Sequence, residues 1–241
     1  MLRVHSVESF GTSDGPGIRF ILFVQGCMFR CLYCQNADTQ VCEGGKMMSP
    51  DEIMALLERQ RPYFGTNGGL TVSGGEPTVQ AAELYPLFVK AKAAGIHTAL
   101  DTNGGFANDD VKKLYEVTDL VILDVKHIDD EGHKKLTSNS NKNTLAMAEF
   151  RESQGKPLWI RYVLVPGYND SDEILHRFGK ELQHLKTLER VELLPYHTLG
   201  SHKFKEMGRE NPLEGVLPPT KDLVLHAKKI LEEYFSKVVV H

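Results

Sequence analysis

The chain carries near its start the run Ile18-Arg19-Phe20-Ile21-Leu22-Phe23-Val24, in which six of the seven residues are apolar. An apolar run of this length, without alternation, is typical of a strand that is buried on both faces. Such strands belong to parallel sheets that helices cover on both sides. The run therefore indicates an α/β protein, and it ends directly before a loop that is rich in cysteine.

The same short apolar pattern recurs along the chain and alternates with segments of helical spacing. Further strands are predicted at residues 69–73, 97–102, 120–126, 158–165 and 190–194, with a terminal strand at 238–240. Helices are indicated by the capping box Ser49-Pro50-Asp51-Glu52 and by apolar stripes at residues 84–91 and 223–234. Strands that alternate with helices imply a parallel sheet, either open and doubly wound or rolled into part of a barrel. Because there are fewer units than the eight of a complete barrel, we expect an α/β fold, an incomplete (β/α)6 TIM-like barrel.

Length and composition are those of an ordinary globular protein. The 241 residues fit one domain over residues 1–241, with 41% hydrophobic and 25% charged residues. The net charge of −4 provides no basic field for nucleic acid or for an anionic membrane. No apolar run approaches the roughly 20 residues that cross a bilayer, and the start has no apolar leader segment. We therefore expect a cytoplasmic protein without a nucleic-acid or membrane partner, whose cysteines are thiols or ligands rather than disulfides.

Polar residues follow or end five of the six main predicted strands, and Arg161 lies within the remaining one. The positions are the cysteine-rich loop, Ser73-Gly74-Gly75-Glu76, Asp101-Thr102-Asn103-Gly104, Asp124 with Lys126, Arg161, and Tyr196-His197. In both topologies ligands bind at the carboxyl ends of parallel strands. The sequence therefore predicts a ligand site along this edge of the sheet.

Three cysteines lie within eight residues directly after the first strand, at Cys27, Cys31 and Cys34. Thiolates are soft ligands that suit zinc, copper(I) or iron–sulfur clusters, and composition alone does not choose among these metals. A structural zinc site or an electron-transfer cluster normally takes four ligands. Cys42 could be a fourth ligand, although an isolated cysteine is more often a small buried apolar residue. Three ligands leave one coordination position open, which is typical of a catalytic metal site.

The pattern Cys27-x3-Cys31-x2-Cys34, with Tyr33 before the last cysteine, resembles the signature of the radical S-adenosylmethionine (SAM) enzymes. This resemblance implies that the three thiolates hold a 4Fe–4S cluster and that the amino and carboxylate groups of SAM chelate the fourth iron. It also implies that one-electron reduction splits the sulfonium of SAM and yields a 5′-deoxyadenosyl radical. The alternatives are a zinc-binding protein and an electron-transfer iron–sulfur protein, and both leave the polar residues at the other strand ends without a role.

Motifs along nearly the whole chain are similar to those of the pyruvate formate-lyase-activating enzymes. They are Glu8-Ser9, Gly11-Thr12, residues 14–20 (DGPGIRF), the cysteine loop, and residues 73–76 (SGGE), 101–104 (DTNG), 159–162 (WIRY) and 192–197 (ELLPYH). The resemblance implies that the protein takes a hydrogen atom from a glycine of pyruvate formate-lyase, in anaerobic glucose metabolism. It implies flavodoxin or ferredoxin as the electron donor.

Other targets stay open at this point. Many activases of other glycyl radical enzymes insert cysteine-rich clusters after the first loop, whereas this chain has only Cys42 between the cysteine loop and residue 73. That favours the compact formate-lyase type. The alternatives are an activase of another glycyl radical enzyme, and a radical enzyme that acts on a small molecule or nucleotide.

The resemblance also implies which residues bind the cofactors. The SAM-binding residues would be Tyr33, Cys34, Gln35, Gly75, Glu76, Asn103, Asp124, Val125, Lys126, His127, Ile128, Arg161 and His197. A monovalent cation beside the cofactor carboxylate would take oxygen ligands from Asp101, Thr102 and Asp124. No side chain is expected to act as a general acid or base, because the cluster and SAM carry the chemistry.

Each of these motifs also fits a structural role when its residues are considered alone. Residues 73–77 could form an ordinary turn, and residues 101–104 could cap a helix. Asp124 and Lys126 lie two apart in the predicted strand and so share a face, where they could form a surface ion pair of little consequence. Arg161, in a core-like strand, needs an anionic partner, either the cofactor carboxylate or a neighbouring acid.

Overall fold

Strands and helices alternate along most of the chain in the computed structural model, which describes residues 1–241. The strands are β1 (Leu2–Gly11), β2 (Arg19–Val24), β3 (Lys46–Met48), β4 (Gly69–Gly74), β5 (His97–Thr102), β6 (Leu120–Asp124), β7 (Leu158–Leu164), β8 (Leu188–Pro195) and β9 (Val238–Val240). The helices are α1 (Pro50–Gln60), α2 (Ala81–Ala93), α3 (Asp109–Val117), α4 (Asp130–Thr137), α5 (Lys142–Ser153), α6 (Asp172–Leu182), α7 (Ser201–Glu206) and α8 (Lys221–Leu231). Short 3₁₀ helices cover Ala37–Thr39, Arg61–Tyr63 and Pro77–Gln80.

The strands follow the order β3-β1-β2-β4-β5-β6-β7-β8-β9 in the sheet. Strand β1 is antiparallel to both of its neighbours, β2 and β3. In contrast, β2 pairs in parallel with β4, and β4 with β5. The pairs β7–β8 and β8–β9 are parallel as well. The predicted α/β class with a parallel sheet is confirmed.

The chain divides into two compact units. Unit 1 comprises Met1–Met28, Thr39–Thr102 and Phe106–Ile122. Unit 2 comprises Phe29–Asp38, Asn103–Gly105 and Leu123–His241. That residues 1–241 act as one domain stays a prediction.

The core of unit 1 includes the parallel strands β2, β4 and β5. Leu22 of β2 and Val72 of β4 have no exposed surface, as expected for strands that are buried on both faces. Val24 pairs with Gly74, and Val72 pairs with Leu100, so these strands end at the same edge. Within unit 1 the carboxyl ends of the strands therefore lie together, as the sequence predicts.

The core of unit 2 is built on the pair β7 and β8, whose register runs from Leu158 opposite Leu188 to Leu164 opposite Pro195. Tyr162 of β7 packs edge-on against Phe178 of α6, with ring centroids 4.7 Å apart. Strand β9 extends this sheet in parallel beside β8 and confirms the predicted terminal strand.

Helix α1 begins where the sequence predicts. The hydroxyl of Ser49 accepts a hydrogen bond from Glu52 N at 3.2 Å, and Ser49 N donates to the Glu52 carboxylate at 2.7 Å. This reciprocal pair confirms the capping box. Helix α8 ends at Leu231, so Tyr234, which the predicted stripe included, lies beyond the helix.

Two features of the strands differ from the prediction. No apolar run indicates β1 or β3, because β1 lies near the edge of the sheet and exposes Ser6, Val7 and Glu8. Strand β6 ends at Asp124, two residues earlier than predicted. Lys126 therefore lies outside the strand, and the argument that it shares a strand face with Asp124 is wrong.

None of the helices combines the length and apolar character that crossing a membrane requires.

Candidate active site

In unit 1 the chain leaves β2 and reaches Cys27 through a tight turn. Gly26 has a φ of +101°, a left-handed conformation that favours glycine. Gly26 N donates to Thr39 O at 2.8 Å, and Cys27 N donates to Gln40 O at 3.3 Å. These bonds fix the backbone that leads into the first cysteine.

Gly75, which follows β4, lies directly against this turn. Gly75 N donates to Val24 O at 2.9 Å, and Glu76 N donates to Gly26 O at 2.8 Å. A Cβ atom at Gly75 would lie 2.3 Å from Gly26 O and 3.0 Å from Thr39 O. Since no side chain fits in that space, residue 75 must be glycine for the backbone to approach the cysteine loop this closely.

The carboxylate of Glu76 is buried and connects two strand ends. Glu76 is 1% exposed, and its Oε1 accepts hydrogen bonds from Thr78 N at 2.9 Å and Thr102 Oγ1 at 2.6 Å. The Thr78 hydroxyl donates to the same oxygen. Glu76 therefore joins the end of β4 to the end of β5 and caps the 3₁₀ helix that follows.

The two predicted cation ligands of unit 1 contact the Ser73–Glu76 motif. Ser73 Oγ donates to Asp101 Oδ2 at 2.7 Å, and Thr102 contacts Glu76 as described above. Unit 1 thus brings together the side chains that the sequence predicts at the ends of β4 and β5.

In unit 2 the rest of the cysteine loop runs beside the carboxyl end of α4. The backbone N–H groups on either side of Cys31, those of Arg30 and Leu32, donate to carbonyl oxygens at the end of that helix at 2.8 and 2.9 Å. Cys34 N donates to Cys31 O at 3.2 Å. The segment from Cys31 to Cys34 therefore forms a hydrogen-bonded turn.

Tyr33 is buried between these two cysteines. Its ring belongs to an apolar cluster with Leu136 and Val165, and its hydroxyl has no hydrogen-bond partner. Burial raises the pKa of Tyr33 well above its ordinary value, although the charge of Lys126 lowers it. Buried hydroxyl groups are normally paired, so the Tyr33 hydroxyl offers a polar contact to a ligand.

Asp124 and Lys126 form a mostly buried ion pair. Lys126 Nζ lies 2.6 Å from Asp124 Oδ2 and 5.7 Å from the centroid of the Tyr33 ring. Burial acts to lower the pKa of Lys126, but Asp124, Tyr33 and Cys31 raise it, and the pKa is well above its ordinary value. The two side chains are only 11% and 20% exposed, so the interpretation as an exposed surface pair is wrong.

Gln35 and His197 are brought together in unit 2, although 162 residues separate them. Gln35 Nε2 donates to His197 O at 3.0 Å. A Cβ at Gly200 would lie 2.6 Å from Gln35 Oε1, so the backbone after β8 packs closely on the cysteine loop. The contact uses the backbone of His197, whose side chain is exposed.

Lys203 of α7 holds the same segment in place. Its Nζ donates to Asn36 Oδ1 at 3.1 Å and Asp38 Oδ1 at 3.0 Å. Sequence patterns do not indicate this contact, because 165 and 167 residues separate Lys203 from its partners.

Asn103 forms a turn at the start of its loop. Its Oδ1 accepts a hydrogen bond from Gly105 N at 2.8 Å, and its carbonyl accepts one from Thr144 Oγ1 at 2.7 Å. The turn interpretation of this motif is therefore confirmed for Asn103, whose role toward a cofactor stays a prediction.

The segment after β6 is also largely engaged by the protein itself. Val125 and Ile128 are buried in the core. His127 is 3% exposed, and its Nδ1 accepts a hydrogen bond from Asp129 N at 2.9 Å. Burial lowers the pKa of His127, so its imidazole is neutral at pH 7.

Arg161 of β7 has a carboxylate partner within unit 2. Arg161 Nε donates to Glu192 Oε2 at 2.7 Å, and Glu192 has no exposed surface. The register explains the pair, because Arg161 lies directly opposite Glu192 in the parallel strands β7 and β8. The neighbouring acid is thus one partner of Arg161, and a contact of Arg161 with a cofactor carboxylate stays a prediction.

The thiols of the cysteine loop have the chemistry that an iron–sulfur cluster requires. None of the cysteines forms a disulfide, and Cys42 is exposed rather than buried. No three His, Cys, Asp or Glu side chains converge on the position of a single ion. Thiolates suit iron–sulfur clusters, the Tyr33 hydroxyl offers a buried hydrogen-bonding group, and Gly75 keeps its side of the turn clear of side chains.

The chain belongs to the radical SAM superfamily, whose sequence profile matches residues 21–178. Within that superfamily it belongs to the family of pyruvate formate-lyase-activating enzymes, so the resemblance noted from its motifs is confirmed. It is 47% identical over 240 residues to the pyruvate formate-lyase 1-activating enzyme of Escherichia coli strain K12, with 98% of each chain covered. It is 46% identical over 248 residues to the pyruvate formate-lyase-activating enzyme of Streptococcus mutans, with 98% of this chain and 94% of that protein covered.

Solved structures support the fold. A crystal structure of Streptococcus suis SuiB bound to the precursor peptide SuiA matches with a TM-score of 0.73 at 14% identity, over 98% of this chain and 50% of that chain. The predicted α/β fold, an incomplete TIM-like barrel of the radical SAM type, is confirmed.

Proposed function

We propose that the chain activates pyruvate formate-lyase by generating a glycyl radical on it. The observation that carries this proposal is the nearly full-length identity of 47% to an enzyme named for that activity. When bound, a 4Fe–4S cluster and SAM supply the electron transfer and the 5′-deoxyadenosyl radical that abstracts the hydrogen atom. The residues of the chain bind and orient these groups.

Cys27, Cys31 and Cys34 are the proposed cluster ligands. Their spacing matches the signature of the family to which the chain belongs. The hydrogen bonds around Cys27 and Cys31, and the packing of Gly75 on Gly26, hold the backbone in a defined conformation. A thiolate on a fixed backbone loses little conformational freedom when it binds iron.

The residues proposed to bind SAM are Tyr33, Cys34, Gln35, Gly75, Glu76, Asn103, Asp124, Val125, Lys126, His127, Ile128, Arg161 and His197. Five of them illustrate two kinds of contact. We propose that Tyr33, Lys126 and Arg161 contact SAM through their polar side chains. Val125 and His127 are buried, and we propose that such residues shape the binding site through their backbone.

Asp101, Thr102 and Asp124 are the proposed ligands of a monovalent cation. Hard oxygen atoms suit such an ion. The support is the hydrogen bonding of Asp101 by Ser73 and of Thr102 by Glu76, which fixes the orientation of the two oxygen donors.

We further propose flavodoxin or ferredoxin as the electron donor, and the cytoplasm as the place where the chain acts in anaerobic glucose metabolism. Neither nucleic acid nor a membrane is a proposed partner, which agrees with a net charge of −4.

An anaerobic activation assay tests the function. The reconstituted and chemically reduced chain is mixed with SAM and pyruvate formate-lyase, and the glycyl radical is measured by electron paramagnetic resonance. We expect a radical signal on pyruvate formate-lyase and one 5′-deoxyadenosine per radical formed. Cleavage of SAM without that signal would exclude pyruvate formate-lyase as the target while leaving the radical chemistry in place.

Replacement of the cysteines tests the cluster ligands. Cys27→Ala, Cys31→Ala and Cys34→Ala should each lose the 4Fe–4S absorbance and all SAM cleavage, because a missing thiolate leaves an iron without its ligand. Cys42→Ala is the matched control, and we expect it to keep both. SAM cleavage retained in any of the first three variants would contradict the assignment.

A further inference from the structure

Glu192, the first residue of the 192–197 motif, is the most deeply buried acid of unit 2. It lies on β8 with no exposed surface, and a carboxylate at such a position is stable only when cations or hydrogen-bond donors pair with it. Arg161 Nε pairs with its Oε2 at 2.7 Å. Arg190 Nη2 lies 2.5 Å from its Oε1, an ion pair without hydrogen-bond geometry.

The two arginines reach one carboxylate because of the strand register. Arg190 and Glu192 lie two apart on β8 and therefore share a face, and Arg161 lies opposite Glu192 on β7. Trp159, opposite Arg190, stacks under that guanidinium with 3.3 Å between the guanidinium carbon and the ring centroid. Cation–π contact of this kind stabilises a partly desolvated arginine.

These buried contacts restrict the Arg161 side chain more than an exposed ion pair would. An arginine side chain has about 2 kcal/mol of rotamer entropy to lose when it becomes ordered. Here the bond to Glu192 has already ordered it, and Arg190 with Trp159 holds Glu192 in turn. Because Arg190 also lies against the Glu192 carboxylate, Arg161 shares that single negative charge with a second guanidinium.

We propose that Glu192 is the positioning residue of the SAM site, which holds the guanidinium of Arg161 in the orientation that binds the anionic end of the cofactor. This inference rests on the proposed function, in which Arg161 contacts SAM. A residue with this role acts on binding and not on the reacting atoms. Its removal should therefore weaken SAM binding and leave the turnover of bound SAM almost unchanged.

Glu192→Gln keeps the shape of the side chain and removes its charge. In the reconstituted holoenzyme we expect SAM to bind about tenfold more weakly, as is typical when the partner of a ligand-binding group is lost. Equilibrium dialysis of SAM measures the affinity directly, and the KM and kcat of SAM cleavage provide the second readout. The KM should rise with the dissociation constant, while kcat and the iron content stay close to those of the unaltered chain.

Glu189→Gln is the matched control on the same strand. Glu189 is exposed and accepts a hydrogen bond from Trp159 Nε1 at 2.9 Å, which a glutamine oxygen can also accept. This variant should bind SAM like the unaltered chain.

A double variant distinguishes positioning from general stabilisation. Arg161→Lys should weaken SAM binding by itself, and Glu192→Gln should add little to it, because the two residues act as one unit. Additive losses would overturn the proposal, as would an unchanged dissociation constant in Glu192→Gln.

Glu192→Asp provides the test if the glutamine variant does not fold. It keeps the charge but draws the carboxylate back by one carbon, so Arg161 loses its bonded position while the buried arginines keep an anion. Unchanged SAM affinity in a folded Glu192→Asp protein would overturn the proposal. Failure of the unaltered chain to bind or cleave SAM would instead refute the proposed function, so the two failures are distinguishable.

Discussion

Gly75 is the residue at which the candidate site leaves least room for change. Its φ is not in the left-handed region, so the requirement for glycine is purely steric. The obstacle to a Cβ is the carbonyl oxygen of Gly26, 2.3 Å away, and a backbone atom cannot move aside as a flexible side chain can. Any larger residue must push the strand end away from the turn that leads to Cys27.

Gly75→Ala should therefore lower the stability of the holoenzyme by about 1–3 kcal/mol, the usual effect of overpacking. We also expect lower iron content, since the displaced turn precedes a proposed cluster ligand. Anaerobic thermal unfolding and iron analysis of the purified variant measure both effects.

Gly155→Ala is the control for this substitution. Gly155 has a φ of +62° with open space around its Cα, so alanine there introduces backbone strain of about 1 kcal/mol without a clash. The control should keep full iron content, and equal iron content in both variants would contradict the steric argument.

For single residues, the sequence predicts which side chains belong to the candidate site but not which residues they contact. The motifs identify Glu76 as a polar residue at a strand end and Arg161 as one within a strand, and this much follows from the sequence alone. That Arg161 bonds Glu192, and that Glu76 bonds Thr102, depends on which strands are neighbours and in what register. The sequence contains no local signal for either pair.

At the scale of secondary-structure elements, helix α4 and the segment before it contain two histidines with a structural role. His127 accepts from Asp129 N just before the helix, and a Cβ on Gly132 would lie 2.2 Å from its ring. His133, within the helix, is fully buried and bonds Asn139 O at 2.6 Å. Burial lowers the pKa of both histidines, so both imidazoles are neutral in the folded protein at pH 7.

Acid should therefore destabilise the protein through these two histidines. Their folded pKa values lie below the unfolded value of about 6.5, so the unfolded chain binds protons first as the pH falls. The free energy of unfolding should fall from about pH 6.5 downward, by at most about 1.4 kcal/mol per pH unit for each histidine. Anaerobic urea unfolding at pH 7.5 and pH 5.5 measures the loss.

His127→Asn isolates the contribution of one histidine. The asparagine Oδ1 can accept the bond from Asp129 N and does not titrate. This variant should be less stable at pH 7.5 but lose less stability on acidification than the unaltered chain. An equal loss in both proteins would exclude His127 as a source of the acid sensitivity.

The strands of the central parallel sheet are predictable from sequence, whereas β1 and β3 are not. The predicted bounds of β2, β4, β5 and β7 coincide with the structure to within a residue or two. Strand β1 is paired on both sides yet leaves Ser6 to Glu8 exposed, so its residues show no continuous apolar pattern. The helix α1 is predictable because its capping box is a local signal.

At the scale of the whole molecule, the two outermost strands of the sheet order are β3 and β9, and each is three residues long. Short outer strands limit the unpaired backbone that could pair with another chain. The formal net charge of −4 acts in the same direction by keeping copies apart.

Strand β9 also covers β8, which carries Glu192, so its removal should affect both stability and the SAM site. Val238 is 6% exposed, and His241 N donates to Leu193 O at 3.3 Å. Deletion of residues 238–241 should lower the free energy of unfolding by about 2–4 kcal/mol, from the lost apolar burial and backbone hydrogen bonding. Because water can then reach the edge of β8, we also expect weaker SAM binding.

Deletion of His241 alone separates the strand from its last side chain. The His241 imidazole lies 3.4 Å from Glu192 Oε1 and is 29% exposed, so its loss should have an effect of no more than about 1 kcal/mol. Thermal unfolding and SAM dialysis on the two truncated holoenzymes compare them directly. If the longer deletion were no more harmful than the shorter one, β9 would be dispensable and the protection of Glu192 would have to come from β7 and β8 themselves.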